Sequence, residues 1–302
     1  METPLPPKKP FLQKIFLSPD QTRLRAGWRL LIQTVSLVLI GSCLIVPLFT
    51  VLFLLDPSLL SSLLQLRPEY LLLGTIAEAI AVTASVFLAR RFIDRQPIES
   101  LGLKVNNQAL LDVLAGMGIA LLQMGFLYVL MLGLGWLTFE GFAWEFDPVE
   151  TVLSGVLIFF CIFILVGWSE ELLSRGYHLQ TIASGTNLFW AVIISSAVFS
   201  FLHFRNPSAT WASTAGIFFA GIYLAYGYIR TRQLWLPIGL HIGWNFFEGV
   251  VFGFPVSGLD IYALTRITVQ GPELWTGGAF GPEAGLIVLP SLVLGALLIY
   301  LY

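Results

Sequence analysis

Charged residues are scarce in this sequence. Only 11% of its 302 residues are Asp, Glu, Lys or Arg, whereas 57% are hydrophobic and the mean hydropathy is +0.83. A chain of this length cannot hide so much apolar surface in one water-soluble core, which excludes an ordinary soluble domain. The formal net charge of −2 gives no reason to expect nucleic acid as a partner. The composition therefore predicts a protein whose principal partner is membrane lipid.

Cysteine is equally rare, and other signals are missing. Cys43 and Cys161 both lie within apolar runs, so the sequence has no disulfide framework and core packing is the favoured role for both. The first apolar run is too long for a cleavable signal peptide and lacks its typical exit site. Period-2 alternation is also missing, which leaves an α-helical bundle as the spanning architecture.

Eight apolar runs are long enough, or nearly so, to span a bilayer, which takes about 20 residues per helix. They cover residues 29–54, 70–90, 110–138, 151–169, 187–202, 210–229, 234–253 and 284–302. With both termini in the cytoplasm, only Arg67, Arg205 and Arg266 of the 16 Lys and Arg residues fall in outside segments. The positive-inside rule therefore predicts an all-α, polytopic bundle of about eight helices with cytoplasmic termini.

The polar residues divide the sequence into four regions. Few ionisable groups, among them Glu78, interrupt the first three apolar runs, whereas the unusual polar clusters all follow residue 165. We therefore predict a cytoplasmic tail over 1–27, three scaffold or gate helices over 28–150, and a catalytic region over 151–255. An outer loop and a final helix would occupy 256–302. Glu78 is either a structural residue or part of a substrate path.

Two adjacent carboxylates, Glu170 and Glu171, follow the apolar run 152–168. Ionisable residues at such a position are costly, and they indicate a functional site. Glu171 and Arg175 have the spacing of an i, i+4 ion pair on a helix. Glu170 would then lie about 100° around the helix, free to act as a general base toward water. A solvated acidic helix end is the alternative interpretation.

Three more polar residues interrupt later apolar runs: His203, His241 and Asn245. Turn signals at 184–187 and 230–233 predict two hairpins that bring them toward Glu170. A carboxylate, two imidazoles and an amide in one bundle form a reaction-site constellation. Counting residues from the turns, however, places His241 at a different depth, unless the hairpin around 184–187 projects beyond the membrane.

The order of these motifs resembles the CPBP family, which includes the type II CAAX prenyl endopeptidases and abortive-infection-like membrane proteins. The matching residues are Glu170, Glu171 and Arg175, then Phe199 and His203, then His241 and Asn245. The resemblance covers about residues 155–250. Residues 277–283, with the sequence GGAFGPE, look like a loop found in some bacterial members, and the sequence suggests no physical role for it.

The resemblance implies an intramembrane endopeptidase. Glu170 would activate the hydrolytic water with the help of His203, while His241 and Asn245 would stabilise the oxyanion. Glu171 and Arg175 would support the site, and Phe199 would position His203 by packing. The implied partner is a peptide or protein substrate, such as a prenylated Cys-a-a-X terminus. A bacterial inner membrane is the expected location.

Metal use stays open at this point. The spacing is not His-Glu-x-x-His, but Glu170, His203 and His241 are possible zinc ligands from separate helices. We favour a mechanism that requires no cofactor. His178 belongs to none of the motifs, and we interpret it as a loop or interfacial histidine.

Two other classes of protein compete with an enzyme. A non-catalytic interaction or bacteriocin-immunity protein would use the same bundle as a scaffold. A transporter would use the polar residues as an ion path, but it should show inverted repeats, whereas the polar residues here are confined to one half of the chain.

Overall fold

A computed structural model describes residues 11–18, 23–55 and 67–302 of the chain. Much of the predicted cytoplasmic tail, residues 1–10 and 19–22, lies outside the described residues, as does the segment 56–66. The described part of the chain is mostly helical, and 77% helix agrees with the predicted fold class.

Eleven α-helices are distinguished in the described residues, and several continue into 3₁₀ or π turns. In chain order they are α1 (Phe11–Phe16), α2 (Ala26–Leu55), α3 (Pro68–Leu88), α4 (Asn107–Gly133), α5 (Val149–Glu171), α6 (Gln180–Gly185), α7 (Leu188–Leu202), α8 (Trp211–Thr231), α9 (Trp235–Asn245), α10 (Glu273–Thr276) and α11 (Val288–Leu301).

Six helical segments of the described residues are long and apolar enough to cross a membrane. They are Ala26–Leu55, Pro68–Ile93, Asn107–Gly133, Val149–Gly185, Leu188–Arg205 and Trp211–Thr231. The shorter helix α11 is also apolar. The chain is therefore an integral, multi-pass membrane protein, while the count of eight helices and the cytoplasmic termini stay predictions.

The helix that carries the two adjacent glutamates is longer than the run 151–169 predicted from hydropathy. After α5 the backbone widens into a π-helix over Leu172–Leu179 and continues through α6, so that one helical segment of 37 residues covers Val149–Gly185. At 1.5 Å per residue this is about 55 Å, well beyond the roughly 30 Å hydrocarbon thickness. Hydropathy missed the extension because it is polar.

Both predicted turns between the later helices are confirmed. Asn187 caps the amino end of α7 by accepting a 3.1 Å hydrogen bond from the Trp190 amide. Arg232 ends α8 in a left-handed conformation, with φ of 56°. These two turns fold α7, α8 and α9 back along the long helix.

Glycines allow α4 and α9 to pack closely. A Cβ atom at Gly116 would lie 2.5 Å from the Leu236 carbonyl oxygen, and one at Gly239 would lie 2.2 Å from that of Val113. Such contacts are too short for any side chain, so only glycine permits this approach. Small residues at helix interfaces are the usual solution in a bilayer, where van der Waals packing drives association. The position of α9, and with it His241, depends on this interface.

A small antiparallel sheet adds to the predicted all-α fold. Strands β1 (Leu137–Phe142) and β2 (Thr265–Val269) pair with a bulge between Phe139 and Gly141. The prediction missed them because each strand is short and its partner is more than a hundred residues away. The sheet joins two connecting segments outside the long helices.

A buried ion network ties the first helices to the long helix. Asp94 accepts hydrogen bonds from Arg29 at 2.8 Å and from Arg90 at 3.3 Å, and both arginines are nearly or fully buried. Arg29 also donates to Ser184 at the end of α6, and Arg90 donates to Gln180. The scaffold helices are thus fixed against the polar extension of the long helix.

Candidate active site

Glu170 and Glu171 lie in the last turn of α5, but in different environments. The Glu170 side chain is 28% exposed, whereas that of Glu171 is fully buried. Consecutive residues on a helix are 100° apart, so the two carboxylates point to different neighbours. The π-helix that follows at once is a rare widening, of a kind found frequently at functional sites.

Glu171 accepts two strong hydrogen bonds on one oxygen. Its Oε1 lies 2.6 Å from Arg175 Nη1 and 2.8 Å from His241 Nδ1, and the ion pair with Arg175 is the one that the spacing predicted. Arg175 is itself buried, and its Nη2 donates to the Gly221 carbonyl at 3.0 Å. Glu171 therefore neutralises Arg175 and fixes the ring of His241, with the proton on Nδ1.

His203 follows the last residue of α7 and is held by its own helix. Its Nδ1 donates to the Phe199 carbonyl at 2.9 Å, which leaves Nε2 to face Glu170. The Phe199 ring lies 4.7 Å from the His203 ring and 4.4 Å from the Arg175 guanidinium carbon. Phe199 therefore contacts both histidine and arginine, as its predicted packing role requires.

Three atoms from three helices converge at the centre of the site. Glu170 Oε2 lies 3.6 Å from His203 Nε2 and 3.8 Å from His241 Nε2. The two histidines therefore lie at one depth, which resolves the disagreement in the residue count. The long helix explains the result, because it continues from Glu171 through a polar extension to Gly185 before α7 begins.

Glu170 Oε2 has no hydrogen-bond donor among the described residues, although the atom itself is buried. A buried carboxylate oxygen without a donor is unusual and requires an explanation. Here the oxygen points at two imidazole nitrogens at distances that one small polar molecule can bridge. Such an arrangement suits a water molecule held between a base and an imidazole.

Asn245 lies one helical turn beyond His241 on α9, and both side chains are buried. The spacing of four residues places the amide on the same face as the imidazole. The structure thus brings the helix segments that carry Glu170, His203, His241 and Asn245 into one bundle.

Two further carboxylates come near this centre. Glu78 on α3 is an exposed residue, and it interacts electrostatically with Glu170 and His203. Glu283 interacts electrostatically with His203 and His241 and is buried. The sequence alone predicts Glu78 to be either a structural residue or part of a substrate path, and it predicts no role for Glu283. The turn-rich sequence around Glu283 was the only available signal.

A metal site would require several ligating side chains close together. Within residues 11–18, 23–55 and 67–302, no group of three or more His, Cys, Asp or Glu side chains is arranged to hold a metal ion. Glu170, His203 and His241 stay possible zinc ligands by residue type, and a mechanism without a cofactor stays a prediction.

His178 lies away from this centre. It belongs to the π-helical segment Leu172–Leu179 rather than to a loop, so that part of the prediction is wrong. It lines a cavity of about 560 Å³ near the start of α2, together with Ile182 and Ile194.

The central segment of the chain matches one known protein family. Residues 152–247 match the family model for Rce1-like type II CAAX prenyl endopeptidases. This is an Rce1-like segment. The match confirms the predicted resemblance and covers all the motif residues, from Glu170 to Asn245. No curated protein and no solved structure matches the chain. The Rce1-like family implies a protease of the CAAX type within the membrane.

Proposed function

We propose that this protein is an intramembrane endopeptidase that hydrolyses peptide bonds near the membrane surface without a metal. The observation that carries the proposal is the buried Glu170 Oε2, which lacks a donor in the described part of the chain and faces His203 and His241. A non-catalytic scaffold protein would not require a buried carboxylate oxygen that lacks a hydrogen-bond donor.

Glu170 is the general base of the proposed reaction. Its carboxylate takes a proton from a water molecule, while His203 Nε2 accepts the second hydrogen bond of that water. The resulting hydroxide adds to the carbonyl carbon of the scissile peptide bond. Glu170 is suited to this role because Arg175 is already neutralised by Glu171.

His241 and Asn245 stabilise the oxyanion that forms on the carbonyl oxygen. Because the Nδ1 proton of His241 is donated to Glu171, its Nε2 can donate only when the ring carries both protons. Glu171 Oε1 then lies between the imidazolium and Arg175 and accepts a hydrogen bond from each. Collapse of the tetrahedral intermediate breaks the C–N bond, and the proton held by Glu170 passes to the leaving amine.

The proposed substrate is a protein whose cleavage site is close to the membrane, with a prenylated Cys-a-a-X carboxyl terminus as the first candidate. The support for it is the family match. A bacterial inner membrane is the proposed location.

The proposal is tested by cleavage of a fluorogenic, prenylated Cys-a-a-X peptide in detergent. Wild type and Glu170→Gln are compared with and without a strong chelator. Cleavage by wild type alone, unaffected by chelator, is the expected result. Loss of cleavage with chelator would refute the metal-independent mechanism. Cleavage by Glu170→Gln at the wild-type rate would refute the role of Glu170, and no cleavage by wild type would overturn the proposed CAAX substrate.

A further inference from the structure

The turn-rich segment 277–283 packs directly against the site. Gly277, Gly278 and Gly281 all have positive φ angles, which lets the chain reverse within a few residues. Phe280 is buried in a cluster with Phe199 and Ile217. The segment therefore contacts the same phenylalanine that packs against His203.

The position of Glu283 is fixed by close backbone packing. A Cβ atom at Gly216 on α8 would lie 1.8 Å from the carbonyl oxygen of Glu283, so only glycine allows this contact. The side chain accepts hydrogen bonds from Trp244 Nε1 at 3.1 Å, from the Ser257 amide at 2.9 Å and from Ser257 Oγ at 2.6 Å. A carboxylate held by three donors has little freedom to move.

Glu283 lacks the cation that normally compensates a buried carboxylate. It is 5% exposed, and none of the ion pairs found among the described residues involves it. The charged or chargeable groups that interact with it favourably are the imidazoles of His203 and His241. Burial raises the pKa of Glu283, while the hydrogen bonds from Ser257 and the two imidazoles oppose that shift.

A second buried carboxylate lies beside it. Glu248 is fully buried, interacts electrostatically with Glu283, and has the Trp244 indole as a neighbouring donor. Two neighbouring carboxylates cannot both be ionised at low cost in such surroundings. Trp244 lies beside both carboxylates, but only Glu283 also accepts hydrogen bonds from the Ser257 amide and hydroxyl, so a negative charge is stabilised better on Glu283 than on Glu248.

We propose that Glu283 is a positioning residue of the peptidase, whose carboxylate stabilises the positive charge that the His241 imidazole carries during hydrolysis. The inference rests on the proposed function and deepens it. The other charged groups that face the two imidazoles are Glu78, Glu170, Glu171 and Arg175. Glu78 and Glu283 both lie outside the Rce1-like segment, but Glu78 is exposed whereas Glu283 is buried and held by three donors.

The first test is kinetic and uses the full chain in detergent with the peptide substrate. Glu283→Gln retains an oxygen acceptor for Trp244 and Ser257 but removes the charge. We expect kcat to fall about tenfold or more with KM changed less than about threefold. Glu273→Gln, an exposed glutamate in the same region, is the matched control and should behave as wild type. Wild-type kcat in Glu283→Gln would overturn the inference.

The second test does not depend on activity. Diethyl pyrocarbonate modifies the neutral form of an imidazole and not its protonated form, and mass spectrometry measures the rate of modification at each of the three histidines. At pH 6 we expect His241 to react at least about threefold faster in Glu283→Gln, because its charged form has lost a stabilising anion. At pH 9, well above the usual pKa of an imidazole, the rates in the two proteins should be equal. His178 is the internal reference.

The two tests separate the possible failures. Rates that are unchanged at pH 6 would overturn the inference. Rates that rise at both pH values would also overturn it, because they would show that the substitution only opens the site. Wild-type protein that does not cleave the peptide, with the expected change of reactivity at pH 6, would overturn the proposed substrate and leave the charge compensation by Glu283 supported.

Discussion

Glu170 and Glu171 are neighbours in sequence, but their replacement by glutamine should affect different properties: the stability of the fold for Glu171 and the turnover of the enzyme for Glu170. Glu171 is fully buried and accepts charge-assisted hydrogen bonds of 2.6 Å from Arg175 and 2.8 Å from His241. Glu171→Gln removes the negative charge and strands a buried guanidinium. Breaking a buried ion pair in this way costs about 3–5 kcal/mol, and the amide oxygen recovers part of it. We therefore expect a loss of about 3 kcal/mol.

Glu170→Gln should leave the fold intact. Its Oε2 has no donor among the described residues, so no hydrogen bond to that atom is lost. The substitution keeps the shape of the side chain and removes the base. Turnover should therefore fall by at least about 100-fold, the lower end of what general base catalysis contributes.

Thermal unfolding in detergent and peptide cleavage are measured on wild type and both variants. A loss of about 3 kcal/mol corresponds to a decrease in Tm of about 5–10 °C for Glu171→Gln, while Glu170→Gln should stay within about 2 °C of wild type. Equal Tm values for the two variants would refute this account of the buried network. So would a Glu170→Gln protein that is destabilised as strongly as Glu171→Gln.

Three further variants test other parts of the arrangement. His203→Ala should abolish hydrolysis but leave Tm nearly unchanged, because its one hydrogen bond is to its own helix; measurable turnover would contradict the role of His203. Glu78→Gln should lower kcat by about 2- to 10-fold, because it removes a negative charge that interacts with Glu170 and His203; a loss as large as that of Glu170→Gln would contradict this. Asp94→Asn should lower Tm by about 5–10 °C, since it strands Arg29 and Arg90, and the exposed Glu99→Gln is its control; equal Tm values for the two would show that the ion network does not stabilise the bundle.

The membrane location and the order of the motifs could be predicted without a structure. Apolar runs of about 20 residues indicate that the chain lies in lipid. Helix periodicity alone places Arg175 one turn after Glu171. The turns at 184–187 and 230–233 were also predictable, because glycine, asparagine and polar residues interrupt otherwise apolar runs. These features depend on residues close to each other in sequence.

The helix boundaries were less predictable. Hydropathy ended the fourth run at residue 169, whereas the helical segment continues to Gly185. The extension is polar because it packs against other polar groups, such as Arg29 and Arg90, rather than against lipid. Hydropathy registers contact with hydrocarbon and does not register helix formation outside it. Strands β1 and β2 were not predicted because each is short and pairs with a strand more than a hundred residues away.

Sequence by itself determined that this chain spans a membrane and carries a glutamate, histidine and asparagine set of the Rce1-like type. Only the tertiary structure decided that Glu170, His203 and His241 converge at one depth, and that Glu283 approaches them from the loop after α10. The physical reason is distance along the chain. Local periodicity cannot encode contacts that depend on how helices pack, such as the glycine interface between α4 and α9 or the contact of Gly216 with Glu283.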